Sequence, residues 1–148
     1  MLAGRELMIL GDAIYARLKA HAGTLALVNT RIYPLRLPQG PTYPAIRYQL
    51  IGAPETHLMG NDPGSVHSRV QIDCYAETYR SAHLLKAEVR DALSRWEGTV
   101  GGVVVDHLFL DDWRDMEEPT LEHDGEQGIY RVMMDLVAHY SDDAVTVP

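Results

Sequence analysis

Apolar positions recur at helical spacing near the start of the chain, where Leu7, Leu10, Ile14 and Leu18 align. They predict an amphipathic helix from Gly4 to about His21, with Asp12 as an alternative N-cap start. Gly11 inside this stretch costs a helix about 1 kcal/mol relative to alanine. Thr24 caps a short turn through Leu25 to Val28 that stops at Asn29. Arg31–Leu35 reads as extended, and Pro34, Pro38, Pro41 and Pro44 keep the following stretch out of helix, as an edge strand or strapped loop.

The pattern then changes period. Ile46, Tyr48 and Leu50 alternate with Arg47 and Gln49, and Val66, Ser68, Val70, Ile72 and Cys74 alternate with His67, Arg69, Gln71, Asp73 and Tyr75. Both runs predict half-buried strands with one apolar face. Their connection, Gly52 to Ser65, is long and rich in turn formers, a combination usually tied to function. A second helix runs from Thr78 or Ser81 to Trp96, burying Leu85, Val89, Ala92 or Leu93, and Trp96. Asp91 and Arg95 fall at i,i+4 for pairing, and Gly98 supplies the stop. Val103–Leu110 reads as a strand with a less regular alternation, followed by an acidic connection. Ile129–Tyr140 is the last strand, with Tyr130, Val132, Met134, Leu136, Ala138 and Tyr140 on one face.

Helix, strands, helix, strands without βαβ repetition is the order of an α+β domain. The expected architecture is an antiparallel (mixed) sheet of four to five strands with two helices packed on one face. One domain spans residues 1–140, and 141–148 form a flexible tail.

Charge narrows the function. The formal net charge is −8, and no basic stripe is visible, which argues against specific nucleic-acid binding. The segment 111–126, DDWRDMEEPTLEHDGE, holds eight acidic residues and one basic residue, Arg114, for a local net charge of −7. It reads as an exposed acidic loop facing solvent, a partner or a channel. An EF-hand is excluded, because the ligand spacing and the sixth-position glycine are absent. The single Cys74 excludes an internal disulfide and suits a reducing cytoplasm. Leu7–Leu10 is too short for a signal-peptide core, and no stretch reaches the roughly 18 to 20 apolar residues of a membrane span.

No catalytic or cofactor pattern emerges. Seven histidines form neither HExxH nor a zinc-spaced Cys/His set, so no metal site is expected. His67, His107 and His139 fall on strands and are placed to approach one another across a sheet. Cys74 shares a strand face with Val70 and Ile72, where a thiol is a small buried hydrophobe. Tyrosine heavily outnumbers the single Phe109, a bias suited to interfaces.

The wording of several segments carries more. RIYPLRLPQG, YPAIRYQLIG and RVQIDCYAETY, then LFLDDWRDMEEPT and GIYRVMMDLVAHY, together resemble the tail-completion (tail-terminator) proteins of tailed bacteriophages. The resemblance runs from about Ile14 to Tyr140. It implies an antiparallel sheet flanked by helices and assembly as a six-fold ring on the end of the tail tube. Such a ring stops tube growth and meets the head connector, through steric and interfacial work without reaction or cofactor. Expected partners are further copies of the chain, the tube protein and the connector protein, with DNA passing through the ring. The expected location is the tail or neck of a virion assembled in the host cytoplasm. Long exposed segments supply the expected contacts: Arg36, Gln39 and Tyr43 in the Pro-rich arm, Glu55, His57, Met59 and Asp62 in the long connection, and Asp111, Asp112, Glu117 and Glu118 in the acidic segment. The competing readings are another head–tail neck or minor tail component, and a small ligand-binding domain or enzyme with an unrecognised site.

Overall fold

A computed structural model describes the backbone of residues 7–52, 66–123 and 127–142, with side chains for all of these except 117–123 and 127. The first helix, α1, spans Leu10–Ala20 and buries Leu10, Ala13, Ile14 and Leu18 on its apolar stripe. Its start is fixed twice. The Asp12 carboxylate accepts a hydrogen bond from the Ile9 N–H at 2.9 Å, so Asp12 lies in the first turn rather than at the cap. The buried Asp142 carboxylate accepts from the Leu10 N–H at 2.9 Å, tying the end of the last strand to the first helix. Anions in this position also complement the helix dipole. The helix does not include residues 7–9, although the sequence pattern extended it to Gly4.

His21 closes α1 in extended geometry, and the chain re-enters helix at once as α2, Ala22–Val28. The short turn predicted after Thr24 is thus a second helix, ended as expected at Asn29, whose φ is 55°. Strands β1 (Ile32–Pro34) and β2 (Ala45–Gly52) follow, then β3 (Val66–Ala76) and α3 (Tyr79–Leu93). The Thr78 hydroxyl caps α3 by accepting from the Ser81 N–H at 3.1 Å. The stop differs from the sequence expectation. Arg95, at φ 66°, turns the chain two residues after Leu93, while Gly98 begins the next strand. Arg95 lies outside the helix and so no longer has the i,i+4 helical placement that its expected pair with Asp91 requires.

The remaining strands are β4 (Gly98–Val100), β5 (Val103–His123) and β6 (Gln127–Ser141). The described residues form one six-stranded sheet in the order β1-β2-β3-β6-β5-β4, with β1 parallel to β2 and all other pairs antiparallel. The class is α+β as expected, with three helices instead of two and six strands instead of four to five. Strand β1 falls in the stretch expected as an edge strand or strapped loop, and the unforeseen strand, β4, is a three-residue edge, below the length at which alternation is readable. Helices α1 and α3 cover one face, where Leu10, Ile14, Leu18, Leu85 and Val89 pack with Ile46, Ile72, Met134 and Leu136, and α2 packs against both helices. Each such side chain contributes about 1.5–3 kcal/mol on burial. Arg17 pins α1 to the end of α3 by donating from Nε to the Ala92 carbonyl at 2.7 Å, and its guanidinium lies 5.7 Å from the Trp96 ring.

Strand β5 overturns the expected acidic loop. It continues past Leu110 to His123, so most of the acidic segment is strand. Its irregular alternation has a cause: register shifts between Val105 and His107 and between Leu110 and Asp112 insert extra residues. Val105 and Leu108 therefore both face the core, although three positions apart. Strand β6 ends at Ser141, which pairs with Val104.

Candidate functional site: the long hairpin and the open face of the sheet

Strand β6 pairs with β3 from Tyr140 down to Tyr130, opposite Ala76, and there β3 ends. Strands β5 and β6 continue pairing with each other, Glu118 opposite Ile129 and His123 opposite Gln127. Beyond the sheet the hairpin is therefore a two-stranded arm, about 10 Å long along β6 and about twice that along the contour of β5 at roughly 3.3 Å per residue. Five steps of β5 face two of β6 in this arm, so the acidic strand carries the surplus residues. Glu117 and Glu118 stand at its base, opposite Tyr130 and Ile129.

The other acidic candidates lie within the sheet. Asp111 is an inserted residue of β5 and accepts from both terminal nitrogens of Arg69 at 3.2 Å. Asp112 stands opposite Asp135 and accepts from the Trp113 N–H at 2.8 Å. In the Pro-rich connection Arg36 and Gln39 are exposed and Tyr43 is half-buried. Burial, then the charge of Glu77, raises the Tyr43 pKa, so this ring is partly docked against the body. Strands β1 and β5 are separated by four strand spacings, about 19 Å, so the two groups do not form one site. Glu55, His57, Met59 and Asp62 lie outside the described residues.

Two further features of the structure carry weight. The first is a row of exposed rings where α3 meets β5 and β6. Tyr130 meets Tyr79 edge-on at 6.1 Å, Tyr79 lies 4.6 Å from His83, and His83 meets Trp113 edge-on at 5.5 Å. The Lys86 ammonium sits 3.7 Å above the Trp113 ring. Tyr79 is 53% exposed, Trp113 42% and Tyr130 39%, although the alternation places Tyr130 on the core side of β6. The end of β3 leaves that ring uncovered. Asp115 ties the row together, accepting from the Tyr79 hydroxyl at 2.9 Å and pairing with His83 at 2.6 Å. Slight desolvation works to raise the Asp115 pKa, but the bonds from Tyr79 and His83, with the charges of His83 and Lys86, outweigh it and hold it below the ordinary value. The bond to Asp115 raises the Tyr79 pKa in turn. Beside the row lies an open depression of about 230 Å³ between Tyr79, Ala82, Met116 and Val132.

The second feature is on the face away from the helices. His67, His139 and His107 stand directly opposite one another on β3, β6 and β5, as the sequence placed them. Ring centroids are 5.6 Å and 6.3 Å apart, and Phe109 stacks on His139 at 6.0 Å. Farther along this face the fully buried Asp73 carboxylate accepts from Arg47 Nε at 3.0 Å, Arg131 Nε at 2.7 Å and Gln71 Nε2 at 3.0 Å. Arg47 also reaches the Leu35 carbonyl, which ties the Pro-rich connection to this network. Cys74, next to Asp73, is buried on the helix side; burial and then the Asp73 charge push its thiol pKa up, away from nucleophilic use.

A family model, described as tail completion protein gp17, matches residues 12–141. The chain belongs to this family. Tail completion proteins are structural components of the phage virion, in agreement with the resemblance carried by the sequence. The fold is also shared with a chain from the virion of a native gene transfer agent particle, at 20% identity and a TM-score of 0.63, covering 89% of this chain and 94% of that one. No curated protein sequence matches. Among the described residues no helix is long and apolar enough to cross a membrane.

Proposed function

We propose that this chain closes into a ring, of six copies, on the end of the tail tube, where it ends tube polymerisation and joins the tail to the head connector. The observation that carries the reading is the acidic two-stranded arm extending beyond β3, beside an exposed row of Tyr79, His83, Trp113 and Tyr130. A ring is built from heterologous contacts, in which one surface of a subunit meets a different surface of the next. The arm and the ring row are two such unlike surfaces. Exposed Tyr and Trp with a cation stacked on them are the residue types that dominate interface energies. Ring closure, tube capping and connector joining work by shape, so no reaction and no specific nucleic-acid binding enter this reading, and DNA passes through the centre.

Native mass spectrometry of the chain, alone and with tail tubes of the same particle, tests it. Six copies, free or on tube ends, is the expected result; a monomer that ignores tubes sinks it. The acidic arm has two possible duties. Neutralising Glu117 and Glu118 impairs DNA passage with joining intact if the arm lines the bore, and causes salt-sensitive loss of joining if it meets a basic connector surface.

A further inference from the structure

We propose that His21, Glu88 and Asp91 form a binding site for a divalent transition ion, with Zn²⁺ as the ion the donor set suits. This inference does not depend on the ring reading. Among the described residues they are the one group of three ligating side chains whose donor atoms all lie within 4.8 Å of one another. His21 Nε2 is 3.2 Å from a Glu88 carboxylate oxygen. Metal–ligand bonds of 2.0–2.1 Å at tetrahedral angles place ligand atoms about 3.3 Å apart. A plain His–Glu hydrogen bond also has that length, so the third member decides.

Asp91 makes no hydrogen bond to the His21–Glu88 pair among the described residues, yet its carboxylate lies within 4.8 Å of both. It adds a second negative charge beside Glu88, a repulsion that a cation would reverse. Arg95, four residues on, has left the helix at φ 66°. Glu88 and Asp91 are i,i+3 on α3 and share one face. His21 is fixed by backbone bonds on both sides, its N–H donating to Arg17 and Leu18 carbonyls and its carbonyl accepting from the Leu25 N–H. Gly23 supplies the room, because a Cβ there would collide with the Glu88 carboxylate. Glycine inside a helix is unfavourable relative to alanine, and here it leaves the space the carboxylate fills.

The donors are one imidazole nitrogen and carboxylate oxygens from two residues. Borderline Zn²⁺ accepts this mixture with a water in the fourth position, whereas Mg²⁺ demands octahedral oxygen. Two carboxylates match the charge of a divalent ion. A bound ion would clamp the α1–α2 corner to α3.

The test uses the full chain, freed of metal with a chelator, in calorimetric titration and thermal unfolding with ZnCl₂ or MgCl₂. The expected result is one saturable Zn²⁺ site. At a hundred times its Kd the ion raises the folding constant about a hundredfold, seen as a Tm increase of several degrees. MgCl₂ at the same concentration should do neither. Asp91→Asn keeps the His21–Glu88 bond and should leave the metal-free Tm unchanged while weakening Zn²⁺ at least about tenfold. His21→Gln should weaken it likewise, and His139→Gln should not. The proposal is overturned by absence of a saturable site, by equal response to Mg²⁺, by full affinity in Asp91→Asn, or by loss in His139→Gln, which would put the ion on the open-face histidines.

Discussion

Replacing Asp73 with alanine removes the carboxylate that Arg47, Arg131 and Gln71 share on the open face. Asp73 is fully buried, while the Arg47 and Arg131 side chains are 21% and 12% exposed. Removing one partner of a buried ion pair costs about 3–5 kcal/mol, because the surviving charge is left unpaired. Partial access to water at both guanidinium groups puts this case near about 3 kcal/mol. With about 2.1 cal/mol/K per residue, a chain of 148 residues has an unfolding entropy of roughly 0.3 kcal/mol/K. Asp73→Ala should therefore lower Tm by about 10 °C. Asp73→Asn keeps the shape and loses the charge, and should fall between wild type and alanine. The triple replacement Arg47→Met, Asp73→Leu, Arg131→Met removes every charge at once and should lie close to wild type. Urea titration followed by circular dichroism measures each variant, with the slope unchanged so that midpoints compare directly. An Asp73→Ala loss below about 1 kcal/mol would refute the reasoning, since it would mean that water already solvates both guanidinium groups.

Thr24 is buried in α2 and its hydroxyl finds no hydrogen-bond partner among the described residues, so Thr24→Val should stabilise by about 1 kcal/mol in the same denaturation assay. Thr78→Ala deletes the α3 cap and should cost about 1 kcal/mol, read as a lower urea midpoint. Asp115→Ala should bring the Tyr79 pKa back down towards the ordinary tyrosine value, followed by carbon-13 NMR titration of the tyrosine rings; an unchanged Tyr79 would disprove their coupling. The Asp115 pKa is depressed in the folded chain, so its contribution is present above the ordinary aspartate pKa of about 3.9 and fades as pH falls through the lower folded value. His83 and Tyr79 ring resonances should shift together over that acidic window.

Long periodic segments were legible from the residues: α1, α3, β2, β3 and β6 match their apolar spacing to within a few positions. The elements that were not legible have physical reasons. Strand β4 is three residues long and borrows its conformation from a neighbour already in place, whereas β1 falls inside the stretch read as an edge strand or strapped loop. Strand β5 was misread because charge density in DDWRDMEE resembles a solvated loop, whereas pairing with β6 supplies backbone bonds regardless of side-chain polarity. Of the candidate contacts, Asp111 and Asp112 sit on the sheet, while Arg36 and Gln39 are exposed on the Pro-rich connection. The histidine row was readable, since strand residues in register must face one another. The row of rings was not, because Tyr79 and His83 come from a helix, Trp113 and Tyr130 from two strands, and only tertiary packing joins them. His21 and Glu88, 67 positions apart, share no motif for the same reason.

The two shortest strands have a consequence of their own. An open sheet is a template, and an unpaired edge invites another chain to add itself. The outermost strands are only three residues each, Ile32–Pro34 on one side and Gly98–Val100 on the other. Pro34 lacks an N–H to donate, and the other short strand holds a glycine that weakens pairing. Strand β4 covers β5 only along Val103–Val105, so from Asp106 onward the outer edge of β5 has no strand beside it among the described residues. Charge rather than shortness guards that stretch against a stray added strand, since Asp106, Asp111, Asp112, Arg114 and Asp115 fall along it.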